Sequence, residues 1–181
     1  MKLAARLSAL AVAWLAKGLF AATFSVGVVP QFPATEIARA WQPLLKRVSE
    51  ATGQQLELQV PLSIPAMEDA FTAGRYDFVF VNPYHAVMAR QAQGYVPLLR
   101  AGEAGLSGVL VVRADSPVKS LEDLRGRKIA FPAPNAFGAS LYLRALLIEK
   151  HRVEFEPDYV KTHSNAYRAV LLGQAAAAGG V

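Results

Sequence analysis

Residues 77–94 read DFVFVNPYHAVMARQAQG, and this stretch is the clearest guide to the fold. It begins with an apolar run of β-branched and aromatic residues, which predicts a buried strand over 77–81. Asn82-Pro83 then predicts a helix start, because asparagine caps helices and proline fits the first turn. The helix is predicted to end at Gly94. A strand that runs directly into a helix is the repeating unit of a parallel α/β sheet.

Four such strand-to-helix junctions carry small or polar residues at the helix start. A helix start offers unpaired backbone N–H groups and the positive end of a dipole. Several helix starts that face one crevice therefore form an anion site without any charged side chain. This pattern indicates binding rather than catalysis. The four junctions are Pro30-Gln31-Phe32-Pro33, Asn82-Pro83-Tyr84-His85, Pro134-Asn135-Ala136-Phe137-Gly138 and His163-Ser164-Asn165.

Strands and helices alternate along the rest of the chain as well. We predict strands over 24–29, 56–60, 95–100, 108–113, 128–131 and 158–162, and helices over 35–52, 64–73, 120–124, 138–151 and 164–172. The small-residue stretch 101–107 is interpreted as a crossover between two α/β units. We therefore assign a first lobe to 23–104 and a second lobe to 105–181.

The chain stops at Gly179-Gly180-Val181, in the middle of an expected strand. With no closing helix after it, the second lobe is expected to have an uncovered sheet edge. We interpret the sequence as incomplete at its C-terminus.

The first 22 residues have the order of a secretory signal peptide. Lys2 and Arg6 precede an apolar run that is too short to span a bilayer, and Ala21 and Ala22 supply small residues for cleavage. An uncleaved anchor is the alternative. The chain has no cysteine, and therefore no disulfide framework and no site for a lipid anchor on cysteine. We predict a soluble periplasmic protein.

The basic residues are scattered along the chain. The formal charge is +5, but three of the 19 basic residues lie in the leader, which leaves 16 against 14 acidic residues. Nucleic-acid binding has no support from this distribution. Without cysteine, and with three histidines that lack close spacing, no metal site is predicted either.

The order of several motifs resembles the periplasmic substrate-binding proteins of phosphate, phosphite and phosphonate ABC transporters. The motifs are FSVGVVPQ (24–31), YDFVFVNPYHAVMA (76–89), VRADSPVKSLEDLRGRKIAFPAPNAFGAS (112–140) and THSNAYRAVLLGQAAAAGGV (162–181). The resemblance implies a two-lobed type II periplasmic binding protein fold with mainly parallel sheets flanked by helices. It also implies a small oxyanion ligand between the lobes, no cofactor and a permease partner in the inner membrane.

The resemblance also implies roles for particular residues. The family's aromatic residue at the start of a first-lobe helix falls on Tyr84, and its histidine after a second-lobe strand falls on His163. Where the family often has Ser-Thr-Ser, this chain has Ala136-Phe137-Gly138, which keeps the backbone donors but loses the hydroxyls. Ser140, one turn later, could supply one hydroxyl.

The residues themselves leave alternatives open at the other junction positions. Asn82 is interpreted first as a helix cap, and Gln31 and Phe32 as ligand contacts or loop residues. Asn135 and Ser140 flank the candidate anion loop, and Ser164 is expected to cap the last helix. Tyr84 could instead pack on the sheet edge.

Other titratable residues are given no role in the site. Glu68 and Asp69 are adjacent on a helix and diverge, and Asp77 opens a strand, so we interpret all three as solvated. His85 and His151 have no placement comparable to that of His163.

These observations favour a binding module that closes on phosphate, phosphite or a phosphonate and presents it to a permease. The alternative is a ligand-sensing domain of the same fold in a membrane-bound signalling protein. An enzyme is not favoured, because no nucleophile and base pair, metal set or cofactor motif is evident.

Overall fold

The computed structural model describes residues 22–100, 102 and 105–181. Apart from Ala22, the predicted leader lies outside this range, as does part of the predicted crossover. Within the described residues, no helix has both the length and the apolar character that crossing a membrane requires.

The first sheet has three parallel strands. They are β1 (Thr23–Val28), β2 (Gln55–Gln59) and β3 (Phe78–Phe80), in the order β2-β1-β3. Each strand leads into a helix: α1 (Ala34–Thr52), α2 (Ile64–Thr72) and α3 (Pro83–Gln93). Since all three strands are parallel, the starts of all three helices lie at the same edge of the sheet.

The second sheet has four strands, in the order β4-β7-β5-β6. The strands are β4 (Val109–Val111), β5 (Lys128–Phe131), β6 (Glu156–Tyr159) and β7 (Ala177–Gly180). Parallel pairing joins β5 to β6 and to β7, whereas β4 is antiparallel to β7. Helix α4 covers 137–150 and α5 covers His163–Leu171. The prediction of mainly parallel sheets with flanking helices is confirmed.

Several apolar clusters hold these layers together. In the second sheet, Phe131 and Ile129 pack with Leu143 and Leu147 of α4, and all four are almost fully buried. In the first sheet, the strand β1 packs on α1. A smaller cluster contains Val29 and Ile64 together with Ala133, Ala136 and Ala139. This third cluster joins the two sheets, and burial of such surface stabilises by about 25 cal/mol per Å².

The prediction of a strand over 95–100 is wrong, and the backbone of this segment is irregular. Pro97 lies in its middle and has no N–H to donate to a strand ladder. Leu99 is accordingly 94% exposed. The β3 strand was also expected to be buried, but it lies at a sheet edge, where Phe78 and Phe80 are more than a third exposed.

Two predicted elements of the second unit differ in length or position. The helix predicted over 120–124 is only a 3₁₀ turn, Glu122–Leu124. There the Asp123 carboxylate accepts from the N–H groups of Lys119 and Ser120, at 2.8 Å each. The strand predicted over 158–162 ends at Tyr159 instead, because Lys161 has φ of 75° and Thr162 caps α5.

The sequence predicted an uncovered sheet edge in the second lobe. The C-terminal strand β7 does not form such an edge. It lies between β4 and β5 and pairs with both. Gly179 permits this placement, because a Cβ there would overlap the carbonyl oxygen of Ala139 on α4. The edges of this sheet are β4 and β6.

Candidate functional site

A narrow crevice, partly open to solvent, lies between the two sheets where helix starts from both units meet. The starts of α2, α3, α4 and α5 contribute to it, together with the segment after β1. Each of these helices follows a parallel strand, so the crevice lies at the carboxyl ends of the strands, where α/β sheets bind ligands. Its lining residues are Val29, Gln31, Ile64, Asn82, Leu106, Ala136, Phe137, Gly138, Ala139, His163 and Val181.

The first turn of α4 brings backbone donors to the crevice. Phe137, Gly138 and Ala139 all line it, and they are the first three residues of the helix. Helix geometry provides no acceptor for these N–H groups, and none is found in the described part of the chain. An oxyanion in the crevice could therefore accept hydrogen bonds from them.

This first turn is π-helical rather than α-helical. The N–H groups of Ser140 and Leu141 both donate to the Ala136 carbonyl, at 2.8 and 3.1 Å. Single π turns are frequent at functional sites. The preceding loop is fixed by Arg144, whose guanidinium donates to the Pro134 carbonyl at 3.0 Å.

Asn82 links the two units across the crevice. Its Oδ1 accepts from the His85 N–H at 2.8 Å, which is the predicted cap of α3. Its Nδ2 also donates to the Asn135 carbonyl of the second unit at 3.3 Å. One side chain therefore both fixes a helix start and bridges the units.

His163 is the titratable side chain of the crevice. It is the first residue of α5 and only 5% exposed. Burial lowers its pKa from 6.5 to about 4, with no charged or hydrogen-bonding neighbour contributing to the shift. The imidazole is therefore neutral at pH 7, with one N–H to donate and one nitrogen to accept.

The rest of the lining that the structure describes is uncharged. Among these described residues, none is Lys, Arg, Asp or Glu. Val29, Ile64, Leu106 and Val181 form what we call the apolar wall. The charge of a bound anion would consequently be balanced by helix dipoles and neutral donors.

The structure brings six of the eleven predicted site residues together. The crevice contains Gln31, Asn82, Ala136, Phe137, Gly138 and His163. Phe32 and Tyr84 lie outside it and are 58% and 37% exposed. The Asn135 carbonyl accepts from Asn82, and Ser140 is fully buried, with no hydrogen-bond partner for its hydroxyl among the described residues. Ser164 is exposed, and Thr162 rather than Ser164 caps α5, because the Thr162 hydroxyl accepts from Asn165.

Sequence reasoning predicted the start of α2 at residue 64 but did not include it among the junctions of the site. Ser63 caps this helix by accepting from the Ala66 N–H at 3.2 Å, and Ile64 then faces the crevice. The sequence signal for a helix start was present there too. Ser63 is a capping residue and Pro65 lies in the first turn, a pattern similar to that of Asn82-Pro83.

Two carboxylates that were interpreted as solvated have specific partners. Glu68 lies 2.9 Å from Nε2 of the fully buried His85. Asp77 accepts hydrogen bonds from the N–H and hydroxyl of Ser25, and these bonds lower the pKa of its carboxyl. Within the described residues, no group of three or more potential metal ligands is found.

Comparison with known proteins shows to which family the chain is similar. A family model described as the periplasmic substrate-binding protein of a phosphonate ABC transporter matches residues 26–180. A binding protein component of an ABC phosphonate transporter from Pseudomonas aeruginosa has a similar structure, with a TM-score of 0.75 and 19% identity. That match covers 89% of this chain and 57% of the other, and it shows the fold alone.

Two curated relatives have different roles. The tetrathionate sensor histidine kinase TtrS of Salmonella typhimurium is 30% identical over 143 residues, which are 72% of this chain and 24% of the relative. The phosphate-import protein PhnD of Mycolicibacterium smegmatis is 25% identical over 138 residues, 72% of this chain and 43% of the relative. The chain therefore spans less than half the length of these relatives.

Proposed function

Because this chain belongs to the family of periplasmic substrate-binding proteins of phosphonate ABC transporters, we propose that it binds a small phosphorus oxyanion in the crevice between its two sheets. The ligand is phosphate, phosphite or a phosphonate, and the bound form is presented to a permease in the inner membrane. The leader delivers the chain to the periplasm and is removed there.

The convergence of four helix starts on one crevice is the observation that carries this proposal. The N–H groups of Phe137, Gly138 and Ala139 supply hydrogen bonds, and the helix dipoles supply positive potential. Asn82 and Gln31 add neutral polar groups at the opposite side. Such a site selects for a compact anion rather than for a cation.

The neutral His163 favours phosphorus oxyanions over sulfur ones. Its unprotonated nitrogen accepts a hydrogen bond, and its other nitrogen donates one. Phosphate and phosphonates carry a P–OH group near neutral pH and can satisfy the acceptor. Sulfate and sulfonates carry no such proton and leave this buried nitrogen without a partner, which is costly.

A calorimetric and thermal-shift panel tests the proposal. The whole chain is titrated with phosphate, phosphite, methylphosphonate, aminoethylphosphonate, sulfate and taurine, since a ligand that binds only the folded state raises the melting temperature. We expect a phosphorus oxyanion to raise it and His163→Gln to weaken that effect. His151→Gln, at the end of α4, is the matched control. A folded protein that responds to none of the six would refute the proposal.

A sensory role is the second candidate, and the histidine kinase relative is the observation that favours it. In that case the same crevice reports occupancy to a signalling domain. Fractionation of cells that express the chain in its natural context separates the two roles. Release into the periplasmic fraction with a processed leader supports transport, whereas retention in the membrane supports sensing.

A further inference from the structure

The two first-unit helices that reach the crevice are joined behind it by a buried polar contact. Glu68 of α2 lies 2.9 Å from Nε2 of His85 on α3. The His85 side chain is 0% exposed and that of Glu68 is 16% exposed. Buried side chains of these types are rare unless they are paired, so the contact has a specific role in the packing of the two helices.

The contact lies one helical turn behind the crevice on both helices. Glu68 is four residues after Ile64, so the two residues share one face of α2. His85 is the third residue of α3, and its N–H donates to Oδ1 of Asn82. Ile64 and Asn82 both line the crevice. A shift in the Glu68–His85 distance therefore moves both crevice residues relative to each other.

Apolar contacts alone leave this spacing poorly defined. Further along the helices, Met67 and Phe71 pack with Ala89, and the Phe71 ring lies 5.6 Å from the His85 ring. The attraction between such side chains has no preferred direction, whereas a hydrogen bond has a narrow range of distance and angle. The polar contact is therefore the element that fixes the register of the two helix starts.

The hydrogen-bond pattern also defines the state of the ring. Nδ1 of His85 has no partner within the described residues. The tautomer with its proton on Nε2 donates to the Glu68 carboxylate and leaves no buried N–H without an acceptor. In this tautomer His85 is the donor and Glu68 the acceptor of the hydrogen bond.

We propose that Glu68 and His85 are positioning residues, which set the spacing of the helix starts at Ile64 and Asn82 and thereby the affinity of the crevice for its ligand. The effect on affinity rests on the proposed function. The spacing itself does not, so the two can be tested separately.

Affinity in the folded state is the first test. Glu68→Ala, His85→Ala and the double variant are titrated with methylphosphonate at a temperature at which circular dichroism shows each to be fully folded. We expect each single variant to bind about tenfold more weakly. The double variant should be no weaker than either single one, since the residues act as a pair. Glu68→Gln, which keeps a hydrogen-bonding group, should stay within about threefold of the wild type.

The matched control is Glu50→Ala, which removes a carboxylate that is exposed and 3.8 Å from Lys46. It should bind as the wild type does. A merely structural role predicts lower melting temperatures for the Glu68 and His85 variants with unchanged affinity in the folded state, and that result would overturn the inference.

Amide hydrogen exchange provides a measurement that needs no ligand. In Glu68→Ala, the amides of Ala66 and His85, which the caps of α2 and α3 hold, should exchange about tenfold faster than in the wild type. The Ile37 amide of α1 should be unchanged. If the wild type binds no oxyanion, the proposed function is refuted. The exchange rates alone then test whether the Glu68–His85 contact sets the spacing of the helix starts. Equal rates in variant and wild type would refute it.

Discussion

His163 is expected to make the protein less stable as the pH falls from 7.5 to 5. Burial at the crevice lowers the pKa of its ring from 6.5 to about 4. In the unfolded chain the ring takes up a proton near pH 6.5, whereas in the folded protein it stays neutral until about pH 4. Between these values the unfolded state binds more protons, so stability is fully present above pH 6.5 and is lost on acidification.

The magnitude follows from the size of the shift. One unit of pKa difference corresponds to about 1.4 kcal/mol. Because the unfolded ring is already largely protonated at pH 5, the loss between pH 7.5 and pH 5 is about 2 kcal/mol, and it approaches about 3 kcal/mol near pH 4. For a chain of this length, 2 kcal/mol lowers the melting temperature by about 4–8 °C.

Urea unfolding followed by circular dichroism at pH 7.5 and pH 5 measures this loss. Other groups also titrate in this interval, so the comparison is made with His163→Gln, which removes only this ring. The wild type should lose about 2 kcal/mol more than the variant between the two pH values. His151→Gln should follow the wild type. If His163→Gln loses as much stability as the wild type, the ring is not held neutral in the folded protein and the reasoning is wrong.

Three further tests, which use five substitutions, probe other features of the structure. Gly179→Ala places a Cβ onto a carbonyl oxygen of α4 and should lower the free energy of unfolding by about 2 kcal/mol or more. Gly105→Ala, where the added Cβ has open space, should change it by less than about 0.5 kcal/mol, and equal urea midpoints for the two would contradict the packing of β7. Thr162→Ala removes the cap of α5 and should lower the free energy of unfolding by about 1 kcal/mol, whereas Ser164→Ala should leave it almost unchanged. If thermal melts show the larger loss for Ser164→Ala, Ser164 is the cap. Asn82→Asp keeps the cap oxygen but sets a carboxylate oxygen against the Asn135 carbonyl and adds a negative charge to the crevice. We therefore expect a lower melting temperature and weaker methylphosphonate binding by calorimetry, and unchanged affinity would show that the anion does not bind beside Asn82.

Local signals account for the parts of the fold that were predicted well. Asn82-Pro83 defines the start of α3, and Gly53 and Gly94 end α1 and α3 in the left-handed conformation, with φ of 69° and 74°. These residues act within a few positions of themselves, so their effect can be read from sequence. The failed strand at 95–100 was also a local matter, since Pro97 was sufficient to exclude it.

The errors in the second unit have a different cause. Whether β7 is an edge or a central strand depends on β4 and β5, which are distant in sequence. No signal near residues 177–180 specifies such a partner. The order of the strands was therefore beyond prediction, although the strands themselves were recognised.

The contrast between local signals and contacts distant in sequence also explains which parts of the candidate site were predicted. Helix starts are local features, so they could be predicted. Each of the four predicted junctions contributes at least one residue to the crevice. Side-chain pairing between elements is not local. Glu68 and His85 are 17 residues apart on separate helices, and only the packing of α2 on α3 brings them together.

The central position of β7 has a consequence for the order in which the second sheet forms. Among the described strands, β4 pairs with β7 alone, and its Val109 pairs with Gly180, about 70 residues later. The pairing of β5 with β6 closes a much shorter loop and can form first. Strand β4 must therefore wait until β7 inserts between it and β5. Contacts of such long sequence separation slow folding, so this insertion should be a late step in the refolding of the β4-β7-β5-β6 strands.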